Sequence, residues 1–236
     1  ETHRLGKRLI THARGKEATL YSAKVKTDCI FHASYGDDEC LDEIVKNGCT
    51  ISPTLTLLVN NYEFSQPTDG AGGGWADHAK VECEAAFEFL SKAHKAGVPL
   101  LTGTDSGFAI TPYGEWHAKE MMIYVKHLGM TEGEALKSAT SQSAAFLNDG
   151  DRLGALEAGR HADIIVFDGN PLEDISQLLD KSRMKHIMLA GEDISVTTHD
   201  IDTKQVSEFS YDMWSDMYTQ DRVKELSNSI RSIAAE

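Results

Sequence analysis

Positively charged side chains are scarce in this chain. Its 236 residues include 23 lysines and arginines against 37 aspartates and glutamates, which gives a formal net charge of −14 at pH 7. Because nucleic acids and anionic membranes are themselves negative, a chain of this charge is not broadly attracted to either. We therefore expect neither nucleic acid nor a membrane as a partner of the protein.

Long apolar runs are also missing from the sequence. The apolar stretches fall far short of the roughly 20 residues that span a bilayer, and no charged-then-apolar signal segment opens the chain. Cysteine is rare, and none of the four residues belongs to a CxxC pair. We interpret Cys29, Cys40, Cys49 and Cys83 as reduced packing residues. With 41% apolar residues available for a core, we predict a globular, cytoplasmic protein.

An initial methionine is absent as well. The opening letters ETHRLGKRL are typical of a helix that ends at Gly6 before a strand begins. We expect either that the natural protein is longer, with an N-terminal half before Glu1, or that the numbering starts after a processing site.

The apolar runs that are present alternate with stretches of helical period. LITHA, CIFHA, CTISPTLTLL and VPLLTGTDSG are predicted strands, and stretches such as DDECLDEIVKN are predicted helices. Strands that alternate with helices form a parallel sheet with right-handed crossovers. We predict such a sheet within residues 1–150, an accessory sheet within 151–200 and a helical segment within 201–236. A complete (β/α)8 barrel takes about 250 residues, so four strands amount to roughly half of one.

Two histidines and one aspartate stand at the ends of predicted strands. His12 follows LIT, His32 follows CIF, and Asp105 follows VPLLTGT. One strand-to-strand repeat separates the histidines, and side chains at the carboxyl ends of neighbouring parallel strands converge. Two neutral imidazoles and a carboxylate suit Zn²⁺ and related divalent ions, with one coordination position left for water. The pattern therefore predicts a metal site at this edge of the sheet.

Four stretches of the chain resemble a known family, the metal-dependent hydrolases of the amidohydrolase superfamily. They resemble, in order, the fifth, sixth and eighth barrel strands and the segment that returns to the small β-sandwich: KRLITHARG, IFHASYGDDECLDEIVKNGCTISPTL, LTGTDSG and DRLGALEAGRHADIIVFDGNPLEDI. Within the superfamily, the chain resembles the imidazolonepropionase-like and prolidase-like branch over residues 2–191. The resemblance implies an α/β fold: the carboxyl-terminal half of a (β/α)8 TIM-like barrel, strands of a small β-sandwich, and a C-terminal helix.

The resemblance also implies a reaction and a role for each strand-end residue. His12 and His32 are expected to bind one divalent ion, and Asp105 is expected to bind a second ion and to transfer the proton. Zinc is the usual metal of such families. A metal-activated water would then hydrolyse a carbon–nitrogen bond of a small amide or peptide substrate. The resemblance places substrate-facing groups after the aspartate strand, where Tyr113 and His117 lie.

Two of the substrate-facing candidates have plain alternatives. Tyr35, three residues after His32, is expected either to contact substrate or to cap the rim of the barrel. His117 is expected either to act in catalysis or to be an ordinary surface histidine. A possible homo-oligomer is a further expectation for the protein.

The chain departs from the family pattern in one respect. The HxH pair of the first barrel strand and the lysine of the fourth have no counterpart here, because they would lie upstream of Glu1. Two histidines and one aspartate are enough for one ion but not for a binuclear site. Two alternatives therefore stay open: a catalytically silent domain used for binding or assembly, and a mononuclear deaminase of the same superfamily.

Overall fold

The computed structural model of the chain describes residues 1–64, 74–107, 110–194 and 219–225. Its first sheet consists of three parallel strands, and two of them carry His12 and His32. The three strands are β1 (Ile10–Ala13), β2 (Cys29–His32) and β3 (Thr50–Ser52), in that order across the sheet. The predicted parallel sheet with helical crossovers is therefore present. Among the described residues, the sheet does not close into a barrel.

The predicted fourth strand is much shorter than expected. VPLLTGTDSG contributes a single parallel bridge, between Leu100 and Ile51 of β3. Two backbone hydrogen bonds hold it, from Ile51 N to Pro99 O (3.0 Å) and from Leu101 N to Ile51 O (2.8 Å). The prediction of a full strand was wrong, since only Leu100 forms a bridge to β3 and Pro99 before it has no N–H to donate to a strand partner.

Helices α1 (Lys16–Lys24) and α2 (Asp38–Asn47) follow the first two strands. The helix predicted over DDECLDEIVKN is confirmed as α2, which begins one residue into that stretch and ends with it. The Asp37 side chain accepts a hydrogen bond from Cys40 N at 3.0 Å, and Gly48 closes the helix with φ +68°. A carboxylate at the start and a left-handed glycine at the end satisfy backbone groups that the helix itself leaves unpaired.

Helix α3 (Leu55–Phe64) corrects the prediction for CTISPTLTLL. This run was predicted to be a strand throughout, yet only Thr50–Ser52 are strand and the helix begins three residues later. The residues from Leu55 to Asn61 are all buried. A helix that is buried on every side has no amphipathic period, so its sequence is indistinguishable from that of a buried strand.

Helix α4 (Gly74–Lys95) packs against α3 and completes the main core. Helix α5 (His117–Ile123) continues as a π-helical turn over Tyr124–Leu128 and is followed by α6 (Glu132–Ala139) and α7 (Ser141–Phe146). A capping box starts α6, because Thr131 and Glu134 exchange side-chain and backbone hydrogen bonds; the pattern of a threonine followed three residues later by a glutamate is typical of this motif. The largest fully buried apolar side chains lie between the sheet and these helices: Ile30, Ile44, Ile51, Leu55, Leu90, Leu100, Ile123 and Leu128.

A separate antiparallel sheet follows the helices. It consists of β4 (Ile164–Phe167), β5 (Met184–Leu189) and β6 (Glu192–Asp193) in sequential order. The segment predicted to be β-rich therefore contains strands. Of the predicted C-terminal helical segment, the structure describes only residues 219–225, of which 220–225 are helical. The domain boundaries remain predictions.

Within the described ranges, no helix is both long and apolar enough to cross a membrane. The four cysteines are all buried and free of disulfide bonds. They therefore serve as small core residues, as their spacing predicted.

Candidate metal centre

The carboxyl ends of β1 and β2 bring two imidazole rings together. Nε2 of His32 lies 3.1 Å from Nδ1 of His12, and the ring centroids are 4.5 Å apart at an angle of 74°. In the strand register His12 is paired with Phe31, and His32 is paired with Ala13. A regular strand would therefore place the two histidines on opposite faces of the sheet. The left-handed backbone of His32, with φ +76°, redirects its side chain towards His12.

His32 is the more enclosed member of the pair. Its side chain is only 2% exposed, and its Nδ1 lies 2.5 Å from Oγ1 of Thr54. Burial lowers the pKa of His32 to about 3, and the nearby positive charge of Arg14 adds to the effect. The imidazole is therefore neutral at physiological pH, which is the form that binds a metal ion.

The separation of the two ring nitrogens suits a zinc ion. Two imidazole nitrogens on a tetrahedral Zn²⁺, each about 2.05 Å from the metal, lie about 3.3 Å apart. The 3.1 Å between His12 and His32 is close to this distance. The donor chemistry and the spacing of the pair therefore both fit a zinc ion.

Asp105, the third predicted ligand, contacts an arginine. Its Oδ2 lies 3.4 Å from Nη2 of Arg14, and the carboxylate is about one-third exposed. Across the described ranges, no three histidine, cysteine, aspartate or glutamate side chains are grouped so that they could hold a metal ion. The structure thus brings two of the three predicted ligands together, and the third forms an ion pair with Arg14.

Backbone strain is concentrated at the same edge of the sheet. Four non-glycine residues there have positive φ: His32 (+76°), Ala33 (+55°), Thr54 (+54°) and Asp105 (+55°). Residues other than glycine rarely adopt this backbone conformation. It persists where the surrounding structure imposes it, typically at functional sites. No sequence pattern signals this strain, which marks the predicted edge independently of the residue types.

A charged network that the sequence analysis missed borders the histidine pair. Nη1 of Arg14 donates to Oε1 of Glu82 at 2.5 Å, and Ser34 Oγ donates to the same oxygen at 2.7 Å. Arg14 could have been suspected, because it follows His12 by two residues. Glu82 gives no such signal, because it lies on α4 and is brought in by tertiary packing. The network holds a guanidinium group between Glu82 and Asp105.

The three predicted substrate-facing residues lie on loops or at a helix start. The backbone N–H of Tyr35 donates to the carbonyl of Arg14 at 2.8 Å, and its ring lines a cavity of about 320 Å³ between α2 and α4. Tyr113 is exposed, with its hydroxyl over Gly107 in the loop after Asp105. His117 is the exposed first residue of α5. Their roles in substrate binding remain predictions.

Comparison with known proteins gives the chain a family context. A model described as the amidohydrolase family matches residues 1–194. The ochratoxinase of Aspergillus niger is 28% identical over 195 residues, which cover 81% of this chain and 39% of that protein. The imidazolonepropionase of Fusobacterium nucleatum is 36% identical over 77 residues, 33% of this chain and 18% of that protein.

A solved structure agrees with these matches. The crystal structure of a Xaa-Pro dipeptidase with methionine bound in its active site has a TM-score of 0.69 and 27% identity, and the match covers 82% of this chain and 46% of that one. The predicted resemblance to the imidazolonepropionase-like and prolidase-like branch is thereby confirmed. This chain spans less than half the length of the relatives that it matches.

Proposed function

The chain belongs to the amidohydrolase family, and we propose that it forms part of a metal-dependent hydrolase that cleaves carbon–nitrogen bonds of amide or peptide substrates. The similarity to ochratoxinase and to a Xaa-Pro dipeptidase supports this reaction class. The observation that carries the proposal is the 3.1 Å separation of His12 Nδ1 and His32 Nε2 at adjacent strand ends. Zinc is the ion that we assign to the pair, because both donors are imidazole nitrogens.

In this proposal each residue has a defined task. His12 and His32 would hold the ion, which when bound lowers the pKa of a water molecule and polarises the substrate carbonyl. An Asp105 carboxylate oxygen would accept a proton and pass it to the leaving nitrogen. Arg14, 3.4 Å from that carboxylate, would orient it. Tyr35, Tyr113 and His117 are proposed to contact the substrate.

The metal assignment is tested by zinc binding. The 236-residue chain is stripped with a chelator and titrated with Zn²⁺ by calorimetry, alongside His12→Ala, His32→Ala and the control His161→Ala. His161 is a suitable control because it contacts Asp149 on the surface, away from the parallel sheet. We expect each variant of the pair to lose at least tenfold in zinc affinity and the control to lose none. Equal affinities in all four proteins would contradict the assignment.

The reaction is tested with dipeptides and N-acyl amino acids. We expect turnover to stop on chelation, to return with Zn²⁺, and to be abolished by Asp105→Asn without loss of zinc affinity. Release of ammonia in place of an amino acid would favour the deaminase alternative. Turnover that a chelator leaves unchanged would refute both the hydrolase and the deaminase proposals, since each requires a metal ion.

One observation favours a second candidate, a catalytically silent domain of the same fold. Asp105 is paired with Arg14, and no group of three metal ligands occurs in the part of the chain that the structure describes. A folded chain that binds zinc but turns over none of these substrates would support this candidate.

A further inference from the structure

We propose that Glu120 is a positioning residue for His32 and acts through Thr54. The proposal rests on the proposed function in one respect, namely that His32 is a metal ligand. The juxtaposition behind it is a continuous line of contacts from the Glu120 carboxylate on α5, through the first residues of α3, to the His32 ring.

The first link is the anchorage of α3 by Glu120. This carboxylate is fully buried and accepts three hydrogen bonds, from Leu55 N at 2.9 Å, from Thr56 N at 2.7 Å and from Thr56 Oγ1 at 2.6 Å. Leu55 and Thr56 are the first two residues of the helix. Their N–H groups have no partner within the helix, so the two Glu120 oxygens supply acceptors that the helix itself cannot. Glu120 therefore fixes where α3 begins.

The second link is the conformation of Thr54, the residue immediately before α3. Its φ of +54° is unusual for a β-branched residue and requires support from its surroundings. Glu120 supplies support on one side by fixing the next two residues. On the other side lies Gly103, where a Cβ atom would come within 2.8 Å of Thr54 Cγ2. Only a residue without a side chain lets the backbone approach Thr54 this closely.

The third link is the contact between Thr54 and the His32 ring. Oγ1 of Thr54 lies 2.5 Å from His32 Nδ1, within hydrogen-bonding distance. In a neutral imidazole one ring nitrogen donates and the other accepts, and a threonine hydroxyl can accept the proton of Nδ1. If Nδ1 carries that proton, Nε2 keeps its lone pair, and Nε2 is the atom that faces His12. The partner of the non-ligating nitrogen thus sets the tautomer and the ring orientation of a metal-binding histidine.

The test measures the His32 tautomer in metal-free protein, where zinc has no influence. Side-chain ¹⁵N chemical shifts distinguish a protonated Nδ1 from a protonated Nε2. In the wild-type chain we expect His32 to be protonated at Nδ1. We expect Thr54→Val and Glu120→Gln to give a mixture of tautomers and Thr54→Ser to restore the wild-type signal.

Thr19→Val is the matched control. Thr19 is a fully buried threonine whose hydroxyl has no hydrogen-bond partner among the described residues, so the change removes the same atom without removing a hydrogen bond. Zinc affinity is measured on the same proteins. We expect a loss of about 10- to 100-fold for Thr54→Val, which is typical when the partner of a ligating histidine is removed, and a smaller loss for Glu120→Gln.

The outcomes separate this proposal from the function proposed above. An unchanged tautomer in both Thr54→Val and Glu120→Gln overturns the positioning role, whatever zinc does. A change in Thr54→Val alone overturns the part assigned to Glu120. If Glu120→Gln does not fold, Thr56→Val decides in its place, because it removes one of the three hydrogen bonds to Glu120. If His32→Ala leaves zinc binding intact, the metal assignment fails while the tautomer measurement still decides the positioning role.

Discussion

The buried carboxyl group of Glu120 gives the chain a pH-dependent stability that one substitution should remove. Burial raises the pKa of Glu120 from 4.5 to about 7, although the hydrogen bonds that it accepts from Leu55 and Thr56 oppose the rise. Between these two values the folded chain holds a proton that the unfolded chain has released. The contribution of Glu120 to the free energy of unfolding is therefore largest below pH 4.5 and falls as the pH rises towards 7.

The size of the fall follows from the two pKa values. At 1.36 kcal/mol for each pH unit, the folded state loses up to about 3 kcal/mol of stability by pH 8 relative to pH 4.5. Glutamine has nearly the same shape and does not titrate, so Glu120→Gln removes the fall. Tyr124, the buried neighbour of Glu120, stays neutral across this range because burial raises its pKa further above 10. The lowered pKa of His32 has the opposite effect, with stability lost as the pH falls below 6.5, so any change at His32 affects the values at pH 5 and 6 and not those at pH 7 and 8.

The assay is urea unfolding of wild type and Glu120→Gln at pH 5, 6, 7 and 8 and at constant ionic strength. The difference between their unfolding free energies should shift steadily in favour of the variant as the pH rises. The control is Glu84→Gln, which makes the same substitution at an exposed position. If the difference in unfolding free energy between wild type and Glu120→Gln does not change with pH, or shifts in favour of wild type as the pH rises, the inference that burial raises the pKa of Glu120 is refuted.

Three further substitutions are expected to lower the free energy of urea unfolding at pH 7. Leu90→Ala should cost about 2–5 kcal/mol, because Leu90 is fully buried in the main core; a loss below 1 kcal/mol would mean that this core is loosely packed. Lys119→Met should cost about 2 kcal/mol by removing a buried ammonium group that contacts Glu63 and lies 4.6 Å from the centre of the Phe64 ring, and an unchanged stability would contradict it. Thr131→Ala should cost about 1 kcal/mol through loss of the α6 capping box, whereas Thr131→Ser should cost little.

Local features of the fold could be predicted from the sequence because local residues cause them. The alternation of strands and helices, the end of α2 at Gly48 and the capping box at Thr131 all depend on residues within a few positions of one another. Helix α3 could not be predicted in this way. Its apolar residues pack on all sides, so the three-dimensional surroundings decide between helix and strand.

The contacts that organise the candidate site could not be predicted from the sequence. Arg14 meets Glu82 and Asp105, and Glu120 meets the start of α3, across 64 to 91 positions of sequence. No periodicity or motif links residues so far apart. Such pairs form because the sheet and the helices pack in one particular arrangement, and they are visible only in the folded chain.

The histidine pair depends on both kinds of information. Its spacing of one strand repeat predicts that His12 and His32 lie at the same edge of the sheet, and they do. The strand register alone would place them on opposite faces, because His12 is paired with Phe31 and His32 with Ala13. The positive φ of His32 is what brings Nε2 to 3.1 Å from His12 Nδ1. A backbone held in a conformation that costs about 1–3 kcal/mol thus produces the one geometry from which the proposed metal chemistry follows.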